Sequence, residues 1–169
     1  MEFSIRTAEE ADYPQLPGIE SAADSVMGLS RLPAASSAEE YRAGLHVLLA
    51  ERSGQLLGLA KLDEVDGQAH LEQISVLPEA AGQGIGRALI ETAKNWARTA
   101  GYRRMTLCTF RDVPFNAPFY ARCGFRVVEP GTPGLRQLRE HEQALGLDAL
   151  GARVAMAAEL LSEQPARRA

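Results

Sequence analysis

Apolar and polar positions alternate through FSIRTA at residues 3–8, which predicts a first strand. The segment after it carries acidic residues early, as a helix start prefers, but Pro14 and Pro17 rule out one long helix there. The Pro/Ala/Ser patch at 31–37 reads as a loop, and Ser36 or Ser37 can cap a short helix through SAEEYRAGL. Three apolar runs follow: HVLLAE at 46–51, QLLGLAKLDEV at 55–65 and AHLEQISVL at 69–77. Ser53-Gly54 and Asp66-Gly67 separate them as tight turns, so the runs predict an antiparallel meander.

Beyond the meander, Ile85, Leu89, Ala93, Trp96 and Ala97 recur at helical spacing until Gly101 stops the helix. RMTLCTF at 104–110 predicts a strand, NAPFYARCG at 116–124 a short helix with Asn116 as its N-cap, and FRVVEP at 125–130 another strand. Residues 131–150 open on Gly and Pro and then predict a surface helix in LRQLREHEQALG. ARVAMAAEL at 152–160 reads as a last strand, although its alanines suit a helix equally. The order is strand, helices, three strands, helix, strand, helix, two strands. It defines a mixed α/β domain, expected over 1–161, with a frayed tail at 162–169.

Composition narrows the class. A chain of 169 residues, 46% apolar and 24% charged, suits one ordinary soluble domain with a sizeable core. A net charge of −4 offers no broad basic surface for nucleic acid. No apolar run approaches the ~20 residues that span a bilayer. The acidic N-terminus lacks the regions of a signal peptide, and Cys108 and Cys123 show no metal-ligand spacing. A cytoplasmic protein with reduced cysteines and no nucleic-acid, membrane or metal partner is expected.

The candidate chemistry starts in LPEAAGQGIGRALIETA, residues 77–93. A strand that runs through glycines into a helix can bind phosphate, because the first helical N–H groups lack internal partners and the dipole favours an anion. Residues 82–87 (Gly82, Gln83, Gly84, Ile85, Gly86, Arg87) therefore read as a cradle of donors, with Arg87 adding charge. Three glycines alone would serve a plain strand–helix connection equally well. A P-loop is excluded because no Lys-Ser or Lys-Thr follows, and the dinucleotide fingerprint fails at Leu89.

The stretch Val76-Leu77-Pro78-Glu79 followed by Gly82-Gln83-Gly84-Ile85-Gly86 resembles the acetyl-CoA pyrophosphate loop of the GNAT superfamily of N-acetyltransferases. That loop usually reads Arg/Gln-x-x-Gly-x-Gly/Ala; here its first position is Ala81. A second segment, Phe119-Tyr120-Ala121-Arg122-Cys123-Gly124-Phe125, matches the family's FYxxxGF, and the element order fits from residue 3 to about 160. The family's usual asparagine lies about seven residues before this tyrosine, where Val113 stands; Asn116 lies four before it.

The resemblance implies a GNAT-like fold, with a mostly antiparallel central sheet, two splayed parallel strands and flanking helices. The splayed strands would be 69–77 and 104–110, with the pantetheine arm of acetyl-CoA between them. The backbone of Ile74 and Val76 would bond that arm and polarise the thioester, residues 82–87 would hold the pyrophosphate, and Asn116 would add a contact. Acetyl-CoA is the implied co-substrate, an amine the acceptor and a homodimer the common assembly; no metal is implied. Transfer is by direct attack of the neutral amine, so Cys123 reads as a packed helix residue and Cys108 as strand core.

Tyr120 is the implied acid that protonates the departing thiolate; on its own it would equally pack its ring in the core. For the base, Glu72 comes first and His70 second, both on strand 69–77 and sharing a face with Ile74 and Val76 unless a bulge intervenes. Both could equally lie at the strand's solvated start. Glu20 is a third option, His46 reads as structural, and Arg111 and Asp112 could line the cleft or pair with each other. Acceptor walls would come from about 13–40 and 111–150. There Asp24, Glu39, Glu40, Glu140, Glu142 and Asp148 favour a cationic amine, with Arg31, Arg136 and Arg139 among them. A small-molecule amine is the expected acceptor, with a protein lysine or N-terminal amine behind it. A non-catalytic acyl-CoA-binding sensor is the competing class.

Overall fold

The computed structural model describes residues 2–160, so the expected tail at 162–169 and the last domain residue, 161, lie outside the described residues. β1 (Ser4–Thr7), β2 (His46–Arg52), β3 (Gln55–Val65) and β4 (Gln68–Val76) pair antiparallel in chain order. The two hairpin turns take positive φ at both positions, 50° and 79° at Ser53-Gly54 and 53° and 72° at Asp66-Gly67. That backbone matches the right-handed twist of the flanking strands. β5 (Arg104–Phe110) then joins β4 in parallel, and β7 (Arg153–Glu159) inserts between β5 and β6 (Arg126–Val128). The seven strands lie in the order β1-β2-β3-β4-β5-β7-β6. The alanine-rich β7 is a strand because two neighbours supply its ladder; Ala155, Ala157 and Ala158 are all buried.

Both faces of the sheet are covered. On one, α3 (Ile85–Thr99) packs Ile85, Leu89, Ile90, Ala93 and Ala97 against Leu62, Leu71, Met105 and Leu107. Each large side chain removed from water there stabilises the fold by about 1.5–3 kcal/mol. α4 (Ala117–Arg122) joins this layer. On the other face, α1 (Leu16–Asp24) and α2 (Ala38–Arg42) seat Leu16, Ile19 and Tyr41 on Leu49 and Leu59. Pro14 and Pro17 sit in the first turns of a short 3-10 segment and of α1, where a missing N–H costs nothing. Ser37 caps α2 through a reciprocal pair with Glu40.

α5 (Pro133–Ala144) is followed by α6 (Leu147–Leu150), a turn of helix that the periodicity does not predict. The surface-helix expectation for α5 is half right. Its outer face is exposed, but Leu135 is buried and Leu138, His141 and Glu142 face a cleft. Asp66, in the β3–β4 turn, accepts the Gly134 N–H at 2.9 Å and pins the start of α5. Among the described residues, no helix is long and apolar enough to cross a membrane.

Candidate active site

The cleft exists because β4 and β5 pair over two positions only, Ala69 with Met105 and His70 with Thr106. Past His70 the two strands diverge. Leu77 N–H bonds the Leu57 carbonyl across β3 at 2.8 Å, so the alternation turns the backbone groups of Ile74 and Val76 the other way, into the gap. These polar groups have no ladder partner on β5. The gap widens into a cleft of about 980 Å³ that runs from α1 and α5 to the start of α3. It is large enough for a small ligand's reacting end.

At one end lies the glycine segment. α3 begins at Ile85 with Gly84 as its cap residue and no side chain capping it, and its first carbonyl-bound amide is Ala88 to Gly84. The N–H groups of Ile85, Gly86 and Arg87 are thus free to bind an anion. Gly82 and Gly84 have φ of 75° and 79°, and a Cβ on either would project into open space. At Gly86 a Cβ would come within 3.3 Å of the Phe119 ring, which makes this the point where α3 and α4 close on each other. Arg87 lines the cleft and pairs with no carboxylate among the described residues. Gln83 differs from its neighbours: its side chain accepts from Arg52 at 2.7 Å and donates to the Glu79 carbonyl at 3.3 Å, off the cleft wall. Ala81 does line the cleft.

Tyr120 is buried in α4, its ring tilted on Phe119 and edge-on to Phe125, with its phenol in the cleft wall. Burial, then the nearby Cys123, raises its pKa well above the ordinary tyrosine value, so the hydroxyl holds its proton. No described residue hydrogen-bonds that hydroxyl. Asn116 occupies the N-cap position of α4 without capping it; its Oδ1 accepts instead from Thr109 at 2.8 Å, across to β5.

On the β4 side, a bulge at Glu72 changes the expected face. Leu62 pairs with Leu71 but Lys61 with Gln73, so Glu72 is the extra residue. His70 and Glu72 do share a face, and Gln73 and Ser75 follow them on it; Ile74 and Val76 turn their side chains to the α3 layer. The bulge is the physical reason that the simple alternation fails. Glu72 pairs with Lys61, which also reaches Asp63 at 3.4 Å. Partial burial, then the neighbouring Asp63, push Glu72 up to about 7, against the pull of Lys61. Burial opposes ionisation of Asp63 too, but its contact with Glu72, the Lys61 charge and the Leu45 N–H outweigh that and hold it below the usual value. The shared proton therefore belongs to Glu72, whose side chain keeps 39% of its surface accessible.

His70 is 4% exposed, its Nδ1 2.8 Å from Thr106 Oγ1. Burial lowers its pKa to about 4, so it is neutral and poorly placed to hold a proton near pH 7. Neither residue lies at a solvated strand start. Glu20, the third candidate, lines the cleft but accepts from Tyr41 Oη and from the Ser36 N–H at 3.0 Å. His46 stacks on Trp96 at 4.3 Å, as a structural residue. Arg111 and Asp112 pair with each other at 3.2 Å on the exposed loop. Cys123 is buried. Cys108, expected in the core, instead faces the cleft half-buried, and burial pushes its thiol up to about 11, which leaves it protonated. Lys61, Asp63 and Thr106 escaped the motif reading; hairpin counting from Asp66-Gly67 was the signal that places Lys61 and Asp63 beside β4.

Splayed strands feeding a glycine cradle are the arrangement that the two sequence motifs imply, and they define the chain as an acyltransferase-type domain. The family model described as "Acetyltransferase (GNAT) family" matches residues 7–125, and the chain belongs to that family. Over 78 residues it is 35% identical to N-alpha-acetyltransferase 80 of Mus musculus, covering 44% of this chain and 24% of that protein. Its fold is similar to N-acetylglutamate synthase from Neisseria gonorrhoeae, solved with coenzyme A and N-acetyl-glutamate. That likeness has TM-score 0.74 and 18% identity, over 96% of this chain and 36% of the other. It is also similar to the ribosomal-protein-S18-alanine N-acetyltransferase from Escherichia coli, with TM-score 0.68, 20% identity and 99% of each chain covered. A third likeness, to the PaiA N-acetyltransferase from Thermoplasma acidophilum with coenzyme A, has TM-score 0.68 and 16% identity, over 94% of this chain and 99% of that one. The chain thus spans about a quarter of the length of the mouse relative and about a third of the Neisseria synthase.

Proposed function

We propose that this chain is an acetyl-CoA-dependent N-acetyltransferase that moves the acetyl group to a primary amine by direct attack, the acceptor being a small-molecule amine. The observation that carries this reading is the continuity of one cleft. It joins unpaired backbone donors on β4, an uncapped helix start at residues 82–87, a protonated tyrosine and a carboxylate near neutrality. The residues fit coenzyme A: Ile74 and Val76 offer backbone groups to an extended amide arm, and Gly82 to Arg87 offer N–H groups and a cation to a pyrophosphate. Asn116, tied to Thr109 beside the tyrosine, fixes that wall.

Acetyl-CoA supplies an activated acyl carbon and a thiolate leaving group. The protein's own work is proton management and positioning. An alkylammonium with a pKa of about 10.4 must lose a proton before it attacks. Glu72 takes it, directly or through water, because its own pKa lies close to working pH and its surface reaches the cleft. A β4 amide donates to the oxygen on which charge develops. Tyr120 holds a proton at Oη for the departing sulfur. Since a thiol titrates near 8.5, the phenol is the weaker acid of the two and serves mainly to orient the sulfur.

Calorimetric titration tests the cofactor half of this reading. Acetyl-CoA and CoA are expected to bind, and ATP and NAD to bind at least about tenfold more weakly. Equal binding of ATP, or no binding of acetyl-CoA at millimolar concentration, would remove the enzyme assignment.

A further inference from the structure

The acceptor end of the cleft has a chemical signature of its own. Among the described residues, five large apolar side chains stand out as exposed, and three of them, Val26 at 56%, Phe115 at 48% and Leu145 at 50%, line this cleft. They come from three separate segments: the loop after α1, the loop before α4 and the end of α5. Independent segments that each expose an apolar residue around one opening form a surface that a ligand, not the fold, covers. Behind this rim the wall is acidic. Asp24, Glu20, Glu40 and Glu72 line it; Tyr41 engages Glu20, the Ser37 N–H engages Glu40 and Lys61 engages Glu72. Asp24 makes no ion pair with a described residue.

Among the described residues that line this end, the cation is already committed; Arg87 and Arg122 line the cleft toward α3, Arg122 over the Phe119 ring that meets Gly86. Arg153 bonds Glu142 at 2.6 Å and lies 4.5 Å over the Phe110 ring. Arg139 is held by Glu142 and Asp148. An α-carboxylate on the acceptor would find no unpaired cation among the described residues lining this end, and a second ammonium group would be left against the apolar rim.

We propose, resting on the N-acetyltransferase reading above, that the acceptor is a small primary monoamine with an alkyl or aryl body and no carboxylate beside the amine. The ammonium lies against the Asp24–Glu72 wall, and the apolar body lies under Val26, Phe115 and Leu145.

The test is a series of amines at fixed acetyl-CoA, read by thiol release: ethylamine to octylamine, with pentylamine set against cadaverine and phenethylamine against phenylalanine. Along the alkyl series kcat/KM is expected to rise by up to about fourfold per methylene over the first carbons. Pentylamine and phenethylamine should each exceed their charged partner by about tenfold or more. Phe115→Ser and Leu145→Ser change exposed positions and should flatten the dependence on chain length. Calorimetry of phenethylamine with the CoA-loaded protein should show binding that phenylalanine lacks. A flat series, or preference for cadaverine, phenylalanine or a peptide N-terminus, would overturn this inference while leaving the enzyme reading intact. Failure to acetylate any amine despite acetyl-CoA binding would overturn the enzyme reading, and this inference with it.

Discussion

Replacing Glu72 by Gln should lower amine-dependent turnover by about 10²–10⁴ with little change in acetyl-CoA affinity. The size follows from the proton's path. Moving a proton from an alkylammonium to an ordinary glutamate costs about 8 kcal/mol, a gap of roughly six pKa units at 1.36 kcal/mol each. Glu72 at about 7 recovers part of that. With 39% of its side chain accessible, screening limits the gain to roughly 2 kcal/mol. The neighbours give the idea a sharper signature, because they act in opposite directions. Lys61 favours the Glu72 carboxylate, so Lys61→Met should move the acidic limb of kcat/KM, centred near 7, to higher pH. Asp63 favours its protonated form, so Asp63→Asn should move the limb to lower pH, each by about one pH unit. The assay is thiol release across pH 5.5–9 (roughly spanning the limb) at saturating acetyl-CoA. Full turnover in Glu72→Gln, or limbs that move together or not at all, would refute the reasoning. Lys61 is buried beneath two carboxylates, so the isosteric Asp63→Asn carries the test if Lys61→Met fails to fold.

Three further outcomes follow from the same geometry. Tyr120→Phe keeps the ring packing and removes one donor, so kcat should fall by about 3–10-fold with acetyl-CoA binding unchanged; equal kcat on every amine would exclude the tyrosine from the proton path. Gly84→Ala should cost about 1 kcal/mol of stability at φ 79° and weaken CoA, as read by calorimetry and urea unfolding. Acetylated pantetheine, which lacks the pyrophosphate, should be affected less; equal loss for both would move the glycine's role to the turn alone. His70 titrates near 4 in the folded state and near 6.5 when unfolded. Its contribution is therefore present above 6.5 and lost as pH falls toward 4. Urea unfolding at pH 7 and 4.5 should show a stability drop about 2 kcal/mol smaller in His70→Gln than in the parent. An equal drop in both would contradict the buried neutral imidazole.

Much of this was readable before any coordinates. The hairpins followed from Ser53-Gly54 and Asp66-Gly67 because few other residue pairs accept two positive φ values in succession. The α3 stripe and a serine cap at 36 or 37 are local patterns with local causes; Ser37 is the residue that caps α2. The parallel β4–β5 pair and the cleft were legible only through the family resemblance, since strand order is a long-range property. Asn116 shows the limit of local rules: an asparagine before a helix reads as a cap, but Thr109 on the neighbouring strand takes its oxygen. Glu72 shows it again. Hairpin counting from the Asp66-Gly67 turn sets Lys61 opposite Glu72, and the bulge then opposes Lys61 to Gln73, which changes the faces of Ile74 and Val76 without separating the ion pair. Bulges have weak sequence signals, because one extra residue costs little locally and is selected by what the strand must do next. The role of α5 as a cleft wall was hidden for a similar reason. Its stripe of Leu135 and Leu138, continued by Leu145 just past its end, is too thin to separate from a surface helix until the partner surface is known.

The most direct measurement is a product analysis. The purified chain is incubated with acetyl-CoA and phenethylamine or hexylamine, and thiol release and acetylated amine are quantified together. The account predicts one acetamide formed per thiol released, dependent on both substrates and lost in Glu72→Gln. Thiol release that ignores the amine, or tight acetyl-CoA binding with no acetamide from any amine, would contradict it.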